Sequence, residues 1–245
     1  VKIGHVVESL LYRRMVCGIP SNGLNRIVVS LTNRIEGNDE FKNLQKRLLK
    51  SNFPDDKEFK SHLIDYQIYN KKRNRAKLTL IILEENRTKE TIDFDDAQVE
   101  HIMPRKLSND WKINVPNADA INHQYGGTIG NLTLTKYNQE ISNRIYAEKR
   151  EYYSESNISL TREVAKNYSK WDKESIIDRA NKLADELIKI FPKPKMLDEA
   201  VAIDISGEHP IDEELDVTGM KPIRLTIQNN DLPVSSWANC LVVFL

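Results

Sequence analysis

The chain has 245 residues, 40% of them hydrophobic, with 36 basic and 36 acidic side chains and two cysteines. That apolar share suffices for a buried core in one large domain or two ordinary ones, while no run reaches the ~20 consecutive apolar residues of a membrane-spanning helix. Val1-Lys2-Ile3-Gly4 lacks the charged, apolar and small-residue regions of a signal peptide, the two cysteines, Cys17 and Cys240, fit a reducing compartment, and no Cys-pair zinc knuckle can be built from them.

A cytoplasmic protein with no membrane partner and no structural zinc is the expectation. Net charge is zero, yet its distribution is uneven. Asp198 to Asp216 holds eight acids and no base, which leaves 36 bases against 28 acids elsewhere. A basic surface suited to phosphates is therefore compatible with the neutral total.

Residues 1–92 read as a helical scaffold. Val6, Leu10, Leu11 and Val16 line a first helix that stops near Gly18-Ile19-Pro20. Leu24, Ile27, Val28, Leu31 and Ile35 repeat at three and four, and Asp39 suits the cap of a third helix carrying Phe41, Leu44 and Leu48. Asp55 or Asp56 caps a fourth, with Phe59 and Leu63 on its apolar face. The basic run Lys71-Lys72-Arg73, Arg75, Lys77 precedes a last long helix over Leu78 to Leu83; it is either a phosphate-contacting patch or a solvated face.

Residues 93–192 carry the chemistry. After an acidic loop, Asp93 to Asp96, a short strand runs through Val99-Glu100-His101-Ile102 and ends at Met103-Pro104, because proline cannot donate to a sheet ladder. His101 is suited to take a proton from water, its ordinary pKa lying near 6.5. Consecutive strand side chains face opposite ways, so Glu100 is a weaker ligand candidate than His101 is a base. Residues 105–129 read as a polar loop containing His123. A second strand, Asn131 to Thr135, alternates Leu132 and Leu134 with threonines. A single helix then spans Tyr137 to Tyr153, with Tyr137, Ile141, Ile145 and Tyr152 near one face.

A pair of helices fills Leu160 to Phe191, the second starting near Ser169 or Asp172 with Trp171, Ile176, Ile177, Ala180, Leu183, Leu187 and Ile190 inward; Arg179 and Lys182 are open to a DNA or a packing role. Residues 193–220 form an acidic linker. Residues 221–245 start a small β-containing segment, with a strand over Lys221 to Ile227, a turn at Asn229-Asn230-Asp231 and a further element from Val234. The fold class is mainly α with a small embedded ββα core, α+β.

The ordered set Val-Glu-His-Ile-Met-Pro at 99–104, Gly-Asn-Leu-Thr-Leu-Thr at 130–135, Asn138 and Ser142-Asn143 resembles the HNH, or ββα-metal, nucleases. More narrowly it is similar to the C-terminal half of GmrSD-type restriction proteins, including phosphorothioate-sensing anti-phage proteins of the SspE kind. Lys149, Tyr152, Trp171, Arg179 and Phe191-Pro192 extend the resemblance downstream, and Tyr12-Arg13-Arg14, Cys17-Gly18 and Phe53-Pro54 extend it upstream, so residues 8–192 are covered. It implies that His101 is the general base and that Glu100 and Asn138 hold a divalent metal, Mg²⁺ or Mn²⁺. It implies also that Asn131 orients the His-bearing loop. Either Asn138 or Asn143 takes the last place of the motif, with Asn138 nearer the helix start. DNA is the implied substrate, and an upstream ParB-like nucleotide-hydrolysing domain the implied partner that senses modified DNA.

Two functions follow. One is a metal-dependent DNA endonuclease or nickase, the effector of a restriction or antiviral defence protein. The other is a non-catalytic DNA-binding or protein-interaction module on a degenerate HNH scaffold, which overall neutrality favours. A zinc peptidase is a poor third, because His101 is followed by Ile102-Met103-Pro104-Arg105 and no H-E-x-x-H helix occurs.

Overall fold

The structure, a computed structural model, describes residues 2–20, 48–71, 73–88, 92–194, 224–227 and 230–234. The chain divides into two compact units, Val1–Met196 and Leu197–Leu245.

In the first unit the helices are α1 (Lys2–Val16), α2 (Asp56–Asp65), α3 (Ile68–Lys71) and α4 (Arg73–Arg87), followed by strand β1 (Gln98–His101). Then come α5 (Asn109–Asn114), α6 (Ala118–Tyr125), a 3₁₀ turn (Ile129–Asn131) and β2 (Leu132–Thr135). The chain closes with α7 (Asn138–Ile141), α8 (Tyr146–Ser154), α9 (Ser159–Asn167) and α10 (Lys173–Ile190). It is a mainly helical α+β fold around one two-stranded antiparallel sheet, in which Gln98 pairs with Thr135 and His101 with Leu132.

The helix ends follow local chemistry. Gly18, at φ +67°, ends α1 in the left-handed region while the amide of Ile19 returns to the carbonyl of Arg14 at 2.9 Å. The Asp55 carboxylate accepts the amide of Glu58 at 2.7 Å and starts α2; Asp172 accepts that of Ser175 at 3.0 Å and starts α10. For α9 the cap comes from a distant helix. The buried carboxylate of Glu84, on α4, accepts the amides of Ser159 at 2.7 Å and Leu160 at 2.8 Å and the hydroxyl of Ser159 at 2.9 Å. Glu84→Ala is expected to lower unfolding free energy by about 2 kcal/mol, since three hydrogen-bonding groups lose a charged acceptor. Urea denaturation measures this, and Glu84→Gln, which keeps one acceptor, recovers part of it.

Three apolar clusters hold the unit, the smallest made of Leu10, Leu48 and Phe53. The first joins Val16, Phe59 and Leu63, Leu80 and Leu83, Ile129, Leu132 and Leu134, and Leu183 and Leu187. The N-terminal helices and the strand region thus share one core, and packing shows no break between residues 92 and 93. The second joins Ile102 and Met103 with Trp111, Ile121, Tyr125, Ile141, Tyr146, Tyr153, Val164, Trp171 and Ile176. Gly130 lets the turn before β2 approach α10, because a Cβ there would run into the carbonyl of Ile176.

Two expectations are corrected. The polar loop of 105–129 contains α5 and α6, whose Trp111, Val115, Ala118, Ile121 and Tyr125 are buried at helical spacing. The single helix over Tyr137 to Tyr153 is two: Ser142 sits at φ +24°, α7 ends at Ile141, and the chain re-enters a helix at Tyr146. Breaking there lets Ile141 and Tyr146 both turn inward, the Tyr146 hydroxyl donating to the carbonyls of Val164 and Tyr168, while Tyr137 is 40% exposed. The helices expected over 24–47 lie outside the described residues.

In the second unit β3 (Arg224–Ile227) pairs antiparallel with β4 (Asn230–Pro233), Arg224 opposite Pro233. Asn230 and Asp231 therefore belong to a strand rather than to the expected turn. The acidic linker beyond residue 194, and residues 235–245, lie outside the described residues. Among the described residues no helix is long and apolar enough to cross a membrane.

Candidate active site

β1 ends on His101, and the alternation of a strand decides what surrounds it. The His101 ring faces the edge of Tyr69, at the α3 helix, with centroids 4.3 Å apart and planes at 85°. It is 8% exposed, and its Nε2 is buried without a hydrogen-bond partner. Burial, and then the positive charges of Arg105, Lys149 and Arg73, lower its pKa from 6.5 to about 4. The ring is neutral at physiological pH and offers a lone pair, the state a general base needs.

Tyr69, in contact with the His101 ring, also lines an open cleft of about 530 Å³. Asn70, Asn74 and four bases, Lys71, Arg73, Arg75 and Arg105, complete the lining, which includes no acid. Arg73 and Arg105 stand over the Tyr69 ring, their guanidinium carbons 5.4 and 5.8 Å from its centroid. Lys71, Arg73 and Arg75 of the basic run expected as either a patch or a solvated face thus line the cleft near the candidate base. Its cations are the right chemistry for phosphate oxygens.

The loop after His101 is fixed by Asn131. Its side-chain oxygen accepts the amide of Met103 at 2.8 Å and the indole N–H of Trp171 at 2.9 Å; its nitrogen donates to the carbonyls of Met103 and Gly126, both at 2.9 Å. All four hydrogen-bonding positions of this buried amide are used. Arg179 is buried too, donating to the carbonyls of Gly130 at 2.8 Å and Leu132 at 2.7 Å, so it braces the entry to β2 instead of facing DNA. Lys182 pairs with Asp178 on its own helix.

Glu100 lies on the opposite side of β1 from His101. Its carboxylate takes Lys149 Nζ at 2.5 Å and the hydroxyl of Tyr153 at 3.1 Å, and Lys149 also donates to the His101 carbonyl at 2.9 Å. Burial raises the Glu100 pKa and lowers that of Lys149, each opposed by the partner's charge. Asn138 donates to Gln98 Oε1 at 3.3 Å. Gln98 is three residues from His101, roughly 10 Å along a strand rising 3.3 Å per residue. Asn143 is exposed in the turn after Ser142, and His123 is exposed on α6.

The donors expected to hold a divalent cation therefore do not converge. Glu100 is already neutralised, Asn138 sits toward the far end of β1, and among the described residues no cluster of three His, Cys, Asp or Glu ligands includes His101.

Tyr69, Arg105 and the partnership of Lys149 with Glu100 were not legible as site features. Arg105 directly follows the Pro104 that ends the strand motif, and Lys149 interrupts the apolar side of its helix, which is the signal a buried counter-ion leaves.

Residues 53–186, more than half of the chain, match the family model of GmrSD restriction endonucleases, C-terminal domain. No curated protein and no solved structure matches.

Proposed function

Because the chain belongs to the family of C-terminal domains of GmrSD restriction endonucleases, we propose that it hydrolyses DNA phosphodiesters with His101 as general base. One observation carries this reading: a neutral imidazole with a buried, unpartnered Nε2 beside a cleft lined by four cations and no acid. The DNA backbone lies in the cleft, its phosphates against Arg73 and Arg105. His101 takes a proton from water, and the resulting hydroxide forms the new bond to phosphorus. The phosphorus–3′ oxygen bond breaks, the leaving oxygen takes a proton from solvent, and His101 returns its proton to solvent. Guanidinium charge stabilises the phosphorane-like transition state. Tyr69 and Asn131 are positioning residues, one against the ring and one on the loop behind it.

A divalent cation, Mg²⁺ or Mn²⁺, is the cofactor the resemblance implies. Glu100 and Asn138 do not meet at His101, so the steps above draw on this chain's own groups. In its biological setting the domain is the cytoplasmic cutting part of a defence system, with sensing left to a ParB-like domain.

Supercoiled plasmid incubated with the chain in Mg²⁺ or Mn²⁺ tests the proposal. Conversion to nicked or linear DNA is expected. Arg73→Glu with Arg105→Glu should slow it at least about tenfold and flatten the salt dependence of DNA binding, since each lost phosphate contact lowers that slope. The engagement of Glu100 by Lys149 favours the second reading, a DNA-binding module on a degenerate scaffold. Plasmid bound but left intact with both ions would establish that reading and remove the nuclease.

A further inference from the structure

A different part of the molecule assembles three metal-ligating side chains. Cys17 follows the end of α1, and Glu58 and His62 lie one turn apart on α2. Their ligand atoms all fall within 4.8 Å of one another, the one such His/Cys/Asp/Glu cluster among the described residues. From this convergence we propose that Cys17, Glu58 and His62 bind Zn²⁺, with a fourth position left for water.

The donor chemistry fits. Thiolate, imidazole and carboxylate are the three side-chain types zinc takes, and around a tetrahedral ion neighbouring donors stand about 3.5 Å apart. Glu58 and His62 are exposed, and the Glu58 side chain is able to close the remaining distance. His62 is also oriented as a metal-bound imidazole is. Its Nδ1 lies 2.9 Å from the backbone carbonyl of Glu58, which can only accept, so in the neutral ring Nδ1 carries the proton and Nε2 the lone pair. The backbone around the site is fixed from both sides, by the Gly18 turn after Cys17 and by the Asp55 cap on the amide of Glu58. Charge favours a cation as well. Burial, and then the negative charge of Glu58 with a smaller share from Asp55, push the Cys17 thiol up to about 11, and Arg13, which acts the other way, is paired with Asp56 at 2.6 Å.

Such an ion ties α1, which precedes the family-matched segment, to α2 inside it. It is not the Cys-pair knuckle that the sequence excludes, and it requires nothing of His101.

The test uses the full chain, freed of metal by chelation and kept reduced with a phosphine. Titration with Co²⁺ should give a thiolate-to-cobalt charge-transfer band at one ion per chain, bleached by equimolar Zn²⁺. Cys17→Ser should abolish the band although Cys240 remains. His62→Ala, at an exposed position that leaves folding intact, should weaken Co²⁺ binding at least about tenfold. Zn²⁺ at a hundredfold excess over Kd should raise Tm by about 5 °C in the wild-type chain and not in Cys17→Ser. Absence of the band, its survival in Cys17→Ser, or unchanged affinity in His62→Ala would overturn the site. Mg²⁺-supported plasmid nicking of Cys17→Ser should equal wild type, so failure of the zinc site and failure of the nuclease reading are read separately.

Discussion

His101→Ala is expected to lower single-turnover nicking of plasmid by about a thousandfold, within the range a positioned general base supplies. The variant should keep its DNA affinity, because the cations of the cleft are untouched. The pH profile carries more information than the loss itself. An imidazole of ordinary pKa would give a rate that climbs through 6.5, whereas burial and the charges of Arg105, Lys149 and Arg73 move His101 to about 4. Nicking should therefore be nearly flat between pH 5 and 8. The same shift links to stability. The folded ring resists a proton that the unfolded ring takes up near 6.5, so this contribution is intact above 6.5 and is lost as pH falls toward 4. The full loss is about 3 kcal/mol at 1.36 kcal/mol per pH unit. His101→Gln removes that slope. A rate that inflects near 6.5, or a stability with no His101-dependent slope between pH 6.5 and 4, would show that the ring is solvated and would sink the account of the site.

What could be read beforehand was whatever depended on local pattern. Leu132 and Leu134 alternate with threonines and form β2; the stripe from Ile176 to Leu187 forms the buried face of α10; Asp55 caps α2. The opposite facing of Glu100 and His101 also followed from strand geometry, and it is why the two side chains end in different surroundings. The misses have other causes. The helical spacing of Trp111, Val115, Ala118, Ile121 and Tyr125 was present but hidden among asparagines, aspartates and a proline. The break at Ser142 depends on a positive φ at a residue that seldom adopts one, which composition does not announce. Tyr69 and Arg105 are separated by more than thirty positions, and only the packing of α3 against the end of β1 brings them to one ring.

The second large effect belongs to Lys149. Its ammonium and the Glu100 carboxylate are both essentially out of water, at 0% and 4% side-chain exposure, and 2.5 Å apart. Lys149→Ala strands a carboxylate in the interior, which costs about 3–5 kcal/mol. Removing both charges at once, in Glu100→Gln with Lys149→Met, should cost much less than Lys149→Ala, because taking each ion out of water consumes most of what their attraction returns. The sign of the pH dependence follows from the carboxyl. Burial already raises the Glu100 pKa with Lys149 present, and without the ammonium the folded value rises further above the unfolded one. The Lys149→Ala chain is then most stable with Glu100 protonated and loses that stability as pH rises through the folded pKa. Urea denaturation at pH 5 and at pH 7 should show the deficit of Lys149→Ala shrinking at the lower pH while that of the double variant stays constant. A deficit that is equal at both pH values, or equal in single and double variants, would mean that Glu100 finds water or another partner, and its buried pairing would no longer explain why it is withheld from His101.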